Sequence, residues 1–228
     1  MLKKSILNSL AKWKAKLKPD PYSGQDTKQR FETIFAQNDW KDAESISGPG
    51  SNSEQTKEVI STVENVIETY GISSLLDVPC GDFGWMSKVD LKGARYTGGD
   101  IVDELIETNK VRYADRKEVQ FEAIDLITDT LPKADLLLVR DCLVHLHSDL
   151  IHSALNNIKR SGIRYVLMTT FTERKYNTDI HTGDWRPLNL QIEPFNLPPP
   201  LAIFNENCTE NNGAYRDKCL ALWDVKTL

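Results

Sequence analysis

The chain of 228 residues carries 33 acidic and 28 basic side chains, a formal net charge of −5, and is 40% hydrophobic. This composition is typical of a soluble globular protein and disfavours nucleic acid as a partner. No apolar run approaches the roughly 20 residues that a membrane-spanning helix needs, and the N-terminus lacks the apolar core of a secretion signal. We therefore expect a cytoplasmic protein with one main domain.

The first 18 residues are basic, with six lysines and no acidic residue. Their apolar residues recur on one face of a helix that Pro19 ends: Leu2, Ile6, Leu10, Trp13 and Leu17. Such a helix either lies peripherally on an anionic membrane surface, or caps the domain or docks a partner. We assign residues 1–19 to this helix, residues 20–70 to an N-terminal cap of helices and a loop, and residues 71–228 to the main domain.

Two further helices are predicted within the N-terminal cap. The first covers Lys28 to Gln37, and the second covers Asn52 to Tyr70 and is ended by Gly71. Between them lies a loop, residues 45–51, in which two glycines flank a proline. This loop is either an ordinary turn or a turn whose backbone lies close to a ligand.

From residue 73 onward, strand and helix patterns alternate, which predicts a mainly parallel sheet with helices on both faces. The first strand ends at Asp77. The other predicted strands are Arg95–Asp100, Val119–Ile124, Asp135–Arg140, Arg164–Thr170, Leu201–Asn205 and Leu220–Val225, and the predicted helices are Val102–Tyr113 and Ser148–Arg160.

Acidic residues end the first two strands of this pattern. Asp100 follows Asp77 by 23 residues, which places both carboxylates beside one crevice if the strands are neighbours. A carboxylate at the tip of the second strand is placed to bond a ribose diol. The intervening turn lacks the Gly-x-Gly-x-x-Gly pattern of dinucleotide sites, and Asp82 would repel a diphosphate. A cationic cofactor without phosphates, such as S-adenosyl-L-methionine (SAM), fits better.

At these residues the chain resembles the class I SAM-dependent methyltransferases. Leu75–Gly81 is similar to the first motif of that family, with Pro79 and Phe83 standing where glycines are usual. The resemblance implies a Rossmann-like α/β fold with a seven-stranded, mainly parallel sheet and a terminal antiparallel hairpin, and SAM as cofactor. The cofactor-binding residues that we assign on this basis are Asp77, Pro79, Cys80, Gly81, Asp100, Ile101, Asp125 (near the adenine) and Arg140.

The segment after the fourth strand faces the methyl group in that family. His145 is our candidate general base, since an ordinary histidine pKa of ~6.5 suits proton acceptance near neutral pH. Alternatively, it caps the following helix or bonds a carbonyl. Asp141 is a second catalytic candidate that orients substrate, and Arg140 either binds an anion or pairs with Asp141. The fifth strand ends without an Asp-Asn pair, so we expect transfer that is independent of a metal. The alternative is a metal site that uses Asp179, His181 and Asp184 of the later segment.

The segment from Thr172 to Pro200 is long for a connection between strands. Its aromatic, amide and charged residues suit a polyol or sugar phosphate, and we assign His181, Asp184, Trp185 and Arg186 to substrate binding. The alternative is a structured cover over the sheet edge.

Residues 140–146 and 183–189 are similar to methyltransferases of bacterial polysaccharide gene clusters. This implies methyl transfer to a hydroxyl of a sugar, a nucleotide-sugar or a small phosphate-bearing capsule precursor. The alternatives are an N-methyltransferase of small molecules, and a catalytically silent subunit that docks through residues 1–18.

Overall fold

The computed structural model describes residues 19–228. The helix predicted over residues 1–18, with its membrane or partner contact, lies outside the described residues. Residues 19–228 form a seven-stranded sheet with helices around it. No helix in this described part is long and apolar enough to cross a membrane.

The sheet has the order β3-β2-β1-β4-β5-β7-β6. Its strands are β1 (Ser74–Asp77), β2 (Arg95–Asp100), β3 (Val119–Ala123), β4 (Leu136–Val139), β5 (Tyr165–Phe171), β6 (Ala202–Asn205) and β7 (Lys218–Asp224). Strands β1 to β5 are parallel, whereas β7 runs antiparallel to both β5 and β6. The predicted mainly parallel sheet with a terminal antiparallel hairpin is confirmed. The strand order reverses between β1 and β4, and ligands of open α/β sheets bind at such a point.

Within residues 19–228, four helices accompany the strands, in addition to a short helical segment at Glu210–Gly213. They are α1 (Thr27–Gln37), α2 (Lys57–Tyr70), α3 (Asp103–Arg112) and α4 (Ser148–Arg160); 3₁₀ turns occupy Pro49–Ser51, Met86–Lys88, Leu143–His145 and Val225–Thr227. Helix α2 begins five residues later than predicted. The side-chain oxygen of Asn52 accepts a hydrogen bond from the Gln55 N–H, and the backbone carbonyl of Asn52 accepts one from the Thr56 hydroxyl. Such bonds offer the backbone an alternative to a helix.

The centre of the sheet is buried on both faces, as expected for parallel strands between helices. Every residue of β4 and β5 is buried. On one face α2 packs against Leu136 and Leu138, and on the other α4 packs against Leu137 and Val139. The long segment after β5 joins the second of these clusters through Leu188, Leu190, Phe195 and Leu197. Much of that segment is therefore a structured cover.

Candidate active site

A cleft opens at the carboxyl ends of the central strands. It encloses about 1030 Å³, including the solvent at its mouth. Its floor comes from residues that follow β1 to β4, among them Pro79, Cys80, Gly81, Asp100, Ile101, Asp125, Arg140, Asp141 and His145. Seven of the eight predicted cofactor residues and both catalytic candidates thus line one cavity.

The opposite wall of the cleft comes from the N-terminal cap. Its lining residues are Thr27, Phe31, Phe35, Trp40, Ile46, Ser47 and Ser51. Phe31 and Phe35 belong to the apolar face of a predicted helix, but nothing in the sequence shows that this face meets the cleft. The loop at residues 45–51, called the strap below, is held against the floor by a bond from the Arg140 guanidinium to the Gly50 carbonyl (2.8 Å).

The turn after β1 is tied to three other elements around Gly81. The Gly81 N–H donates to the Asp100 carboxylate (3.2 Å), and its carbonyl accepts from the buried Asn109 amide of α3 (2.7 Å). Gly81 has a φ of +56°, and a Cβ placed there would lie 2.2 Å from the Ser47 hydroxyl of the strap. Only glycine fits this conformation without strain. No motif of the sequence indicates Asn109, whose amide fixes the shape of this turn.

Asp100 ends β2 with its carboxylate at the floor of the cleft. Both of its oxygens accept backbone N–H bonds, from Val102 (3.1 Å) and Gly81 (3.2 Å). Burial raises the pKa of Asp100 to about 6, although the two backbone hydrogen bonds lower it. The group is therefore ionised at neutral pH and keeps lone pairs for hydroxyl donors.

Asp77 lies behind the turn and is absent from the cleft lining. Its carboxylate is 2% exposed and accepts from the Tyr96 hydroxyl at 2.7 Å. Burial raises the pKa of Asp77 to about 7. The structure thus gives Asp77 a position that supports the turn, without a direct place in the ligand cavity.

Four charged side chains meet beside the strap. Asp141 pairs with Lys218 (2.7 Å), and Arg140 pairs with Glu206 (2.8 Å). Lys218 is also 3.4 Å from Glu206, so two cations and two anions balance in a buried cluster. Lys218 and Arg140 hold the pKa of Asp141 at about 2, against the effect of burial. Asp141 is therefore ionised and paired, and it is a poor proton acceptor near neutral pH.

His145 lies on the 3₁₀ turn after β4, in the cleft wall. Its Nδ1 is 3.0 Å from the Asp184 carbonyl oxygen. A carbonyl only accepts, so Nδ1 carries the proton and Nε2 keeps a free lone pair. The Trp40 ring packs against the imidazole, with 5.2 Å between centroids. Burial lowers the pKa of His145 to about 4, so the ring is neutral at pH 7 but is a weaker base than the ordinary imidazole expected from the sequence.

The four predicted substrate residues lie on the segment after β5 and do not line the cleft. Arg186 is buried, and its guanidinium donates to the carbonyls of Thr178, Leu143, Val144 and Leu146. Its bonds therefore hold the 3₁₀ turn that carries His145. Trp185 is 40% exposed and packs against Tyr215 with 4.8 Å between ring centroids. His181 and Asp184 are half-buried, and Asp184 reaches His145 through its backbone.

Within residues 19–228, no group of three or more His, Cys, Asp or Glu side chains is placed to hold a metal ion. Asp179, which belongs to the segment after β5, accepts from the Ser148 hydroxyl (2.9 Å) and lies 3.0 Å from Nε2 of His147. These bonds place Asp179 at the start of α4.

The chemistry of the cleft decides which cofactor it suits. Among the described residues of its lining there are three carboxylates, those of Asp100, Asp125 and Asp141, and one guanidinium, that of Arg140. Ser47 fills the space beside Gly81 that a phosphate-binding turn leaves open. A cationic ligand with a ribose and no phosphate therefore fits these residues better than a dinucleotide does.

No family model matches the sequence, and no curated protein matches it. The N-methyltransferase NodS from Bradyrhizobium japonicum WM9, in complex with S-adenosyl-L-homocysteine (SAH), has a similar structure with a TM-score of 0.61 and 14% identity, over 87% of this chain and 98% of that one. The [4+2]-cyclase SpnF is similar with a TM-score of 0.53 and 16% identity, over 73% of this chain and 70% of that one.

The chain spans 66% of the methyltransferase domain of bacterial CtHen1, with 52% of this chain covered, 20% identity and a TM-score of 0.46. At these identities the likeness concerns the fold. With the strand order and the crevice between β1 and β4, the comparison with NodS shows that the chain has the Rossmann-like fold of SAM-dependent methyltransferases.

Proposed function

We propose that the chain is a SAM-dependent methyltransferase that transfers a methyl group to a hydroxyl of a small polar acceptor. One observation carries this proposal: Nδ1 of His145 bonds the Asp184 carbonyl, which leaves Nε2 as the unprotonated nitrogen, and the ring shares a cleft with Asp100 and the Gly81 turn. The fold alone does not define the reaction, since a cyclase is also similar to this chain. The argument therefore depends on the residues of the cleft.

The floor of the cleft supplies the cofactor contacts in this proposal. Asp100 accepts hydrogen bonds from the ribose hydroxyls, and Ile101 and Asp125 flank the adenine. Arg140 belongs to the cleft lining, but its guanidinium already pairs with Glu206 and bonds the Gly50 carbonyl, so in this proposal it holds the strap beside the cofactor. When bound, SAM supplies an electrophilic methyl group on a sulfonium. The protein's own contribution is to align the acceptor and remove its proton.

His145 removes that proton through Nε2. The Nδ1–H bond to the Asp184 carbonyl stabilises the imidazolium as it forms, and so does the nearby charge of Asp141. Asp141 itself orients the acceptor by accepting a hydrogen bond, because its pKa of about 2 keeps it ionised. The two catalytic candidates thus have different roles, which their surroundings set.

For the acceptor we propose a sugar, a nucleotide-sugar or a small phosphate-bearing capsule precursor. Trp185 and the neighbouring Tyr215 offer aromatic faces that pack well on sugar rings, but both lie outside the cleft lining, so they support this class only as contacts for a part of the acceptor that extends beyond the cleft. N-methylation of a small amine is the second candidate, favoured by the similarity to an N-methyltransferase. A neutral amine needs no base, so turnover that persists without His145 would favour N-methylation.

Calorimetric titration with SAH tests the cofactor assignment, with NAD as the control ligand. We expect SAH to bind and NAD not to bind. Asp100→Asn should weaken SAH binding at least about tenfold, because an amide loses a charge-assisted acceptor. The exposed Asp115 gives the matched control, and Asp115→Asn should leave binding unchanged.

Binding of NAD alone would contradict the proposal. Binding of neither ligand by the folded protein would favour a catalytically silent subunit. Once SAH binding is measured, methyl transfer from SAM to sugars, nucleotide-sugars and small amines identifies the acceptor. A folded protein that binds SAH and methylates none of these compounds would contradict the acceptor class.

A further inference from the structure

Trp40 joins the N-terminal cap to His145. It lies three residues after the end of α1, half-buried in the cleft wall. Its ring packs on the imidazole at 5.2 Å between centroids, with 38° between the planes. The strap also approaches Trp40 so closely that a Cβ at Gly48 would lie 3.1 Å from the Trp40 Cβ. Trp40 thus contacts both the strap and the imidazole.

The same two segments that contact the imidazole also bond to each other. Trp40 comes from the cap, and the Asp184 carbonyl comes from the segment after β5. The guanidinium of Arg30, on α1, donates to the Thr182 carbonyl at 3.1 Å, and the Gly183 N–H donates to the His145 carbonyl at 2.9 Å. The cap therefore contacts both the imidazole and the segment that supplies its carbonyl partner.

We propose that Trp40 is a positioning residue, which holds the His145 imidazole against the Asp184 carbonyl and excludes water from it. The catalytic part of this inference rests on the proposed function, since it gives His145 the role of base. The cap is then part of the active site, because without it the imidazole loses its packing partner. No feature of the sequence around Trp40 indicates this role.

The groups around the imidazole indicate how Trp40 affects the pKa of His145. The Asp141 carboxylate and the bond to the Asp184 carbonyl raise the pKa of His145, whereas the cations of Arg186 and Lys218 lower it. Burial is the largest contribution and lowers the pKa to about 4. Removal of the indole admits water and leaves all four polar partners in place. The pKa of His145 should then rise toward the ordinary value of ~6.5.

Titration of the histidine side chains by NMR tests this without any acceptor. The protein has four histidines, and His145→Gln identifies the signal that belongs to His145. We expect the wild-type ring to remain neutral down to pH 5. Trp40→Ala should raise the His145 pKa by at least one unit, and Trp40→Phe should keep it low because a ring remains. The control is Tyr176→Ala, which removes an aromatic ring that is 54% exposed, and it should change nothing.

A His145 pKa that is unchanged in Trp40→Ala would overturn the inference, whatever the activity. The pH profile of turnover then separates the two proposals. Trp40→Ala should lose turnover as the pH falls through 6, because the base becomes protonated, and Trp40→Phe should restore the flat wild-type profile. If the pKa rises in Trp40→Ala but His145→Gln retains full turnover, the positioning role stands and the base assignment fails.

Discussion

The Nδ1 atom of His145 lies 3.0 Å from the backbone carbonyl oxygen of Asp184. This bond joins the turn after β4 to the segment after β5, which lie 39 residues apart in the chain. Because the carbonyl accepts only, the bond determines which nitrogen of the neutral imidazole carries the proton. The free Nε2 lone pair is what makes His145 a base in our proposal.

Replacement of His145 should therefore affect the chemical step and not the cofactor. We expect His145→Gln to lower kcat by about 10²–10⁴-fold, the usual contribution of a general base. The affinity for SAH, measured by calorimetry, should stay within about twofold, because the ligand contacts of the floor remain. His147→Gln is the matched control, since His147 caps α4 and contacts Asp179. Equal turnover in wild type and His145→Gln would remove His145 from the mechanism.

The contact between Gly81 and Ser47 can be separated into two effects. Gly81→Ala places a Cβ 2.2 Å from the Ser47 hydroxyl and also strains a residue with a φ of +56°. We expect it to weaken SAH binding at least about tenfold, the equivalent of ~1.4 kcal/mol. The double variant Ser47→Gly with Gly81→Ala removes the collision and leaves the backbone strain.

The double variant should therefore recover part of the affinity, and Ser47→Gly alone should have a smaller effect than Gly81→Ala. Calorimetry on the four proteins gives the coupling energy of the cycle. A coupling energy of zero would show that the side chains at positions 47 and 81 do not interact.

Arg186 should matter for stability and not for substrate affinity. Arg186→Lys removes the guanidinium donors of the Leu146 and Thr178 carbonyls, at ~1–3 kcal/mol for each unpaired group, and leaves the Leu143 and Val144 carbonyls with a backbone donor each. We expect urea denaturation to show a loss of at least ~2 kcal/mol in the free energy of unfolding. The control is Arg216→Lys, because Arg216 is exposed and forms only a long ion pair, at 3.8 Å, with Glu173. If Arg186→Lys has normal stability and a raised KM, the result would support the prediction that Arg186 binds substrate.

The pH dependence of stability should report the burial of Asp77. Its pKa is about 7 in the folded protein and near 3.8 when unfolded, so the folded state holds a proton that the unfolded state loses. The free energy of unfolding therefore falls as pH rises from about 4 to about 7, by at most ~4 kcal/mol from this group.

Asp77→Asn removes this titration, and its amide oxygen can still accept from the Tyr96 hydroxyl. We expect the variant to be more stable than the wild type at pH 8, with a smaller difference at pH 5. Urea denaturation of the two ligand-free proteins at both pH values measures this. A wild type that is more stable at pH 8 than Asp77→Asn would contradict the burial argument.

Local patterns predicted the elements well, because apolar periodicity depends on which face of each element is buried. The predicted strand Arg95–Asp100 and the predicted helix Ser148–Arg160 have the bounds that the structure gives them. The start of α2 differed because the polar residues before it bond to one another and hold a turn. The 3₁₀ turn that carries His145 had no periodic signal, since it is only three residues long.

The sequence by itself determined the alternating elements, the acidic ends of the first two strands and the position of His145 after β4. Only the tertiary structure decided how these residues are used. In the folded protein the side chains of Asp77 and Arg186 are buried, Asp141 pairs with Lys218, and the Trp40 ring packs against His145. The physical reason is that strand ends follow from local burial patterns, whereas the charge state and packing of a side chain depend on neighbours that are distant in the chain.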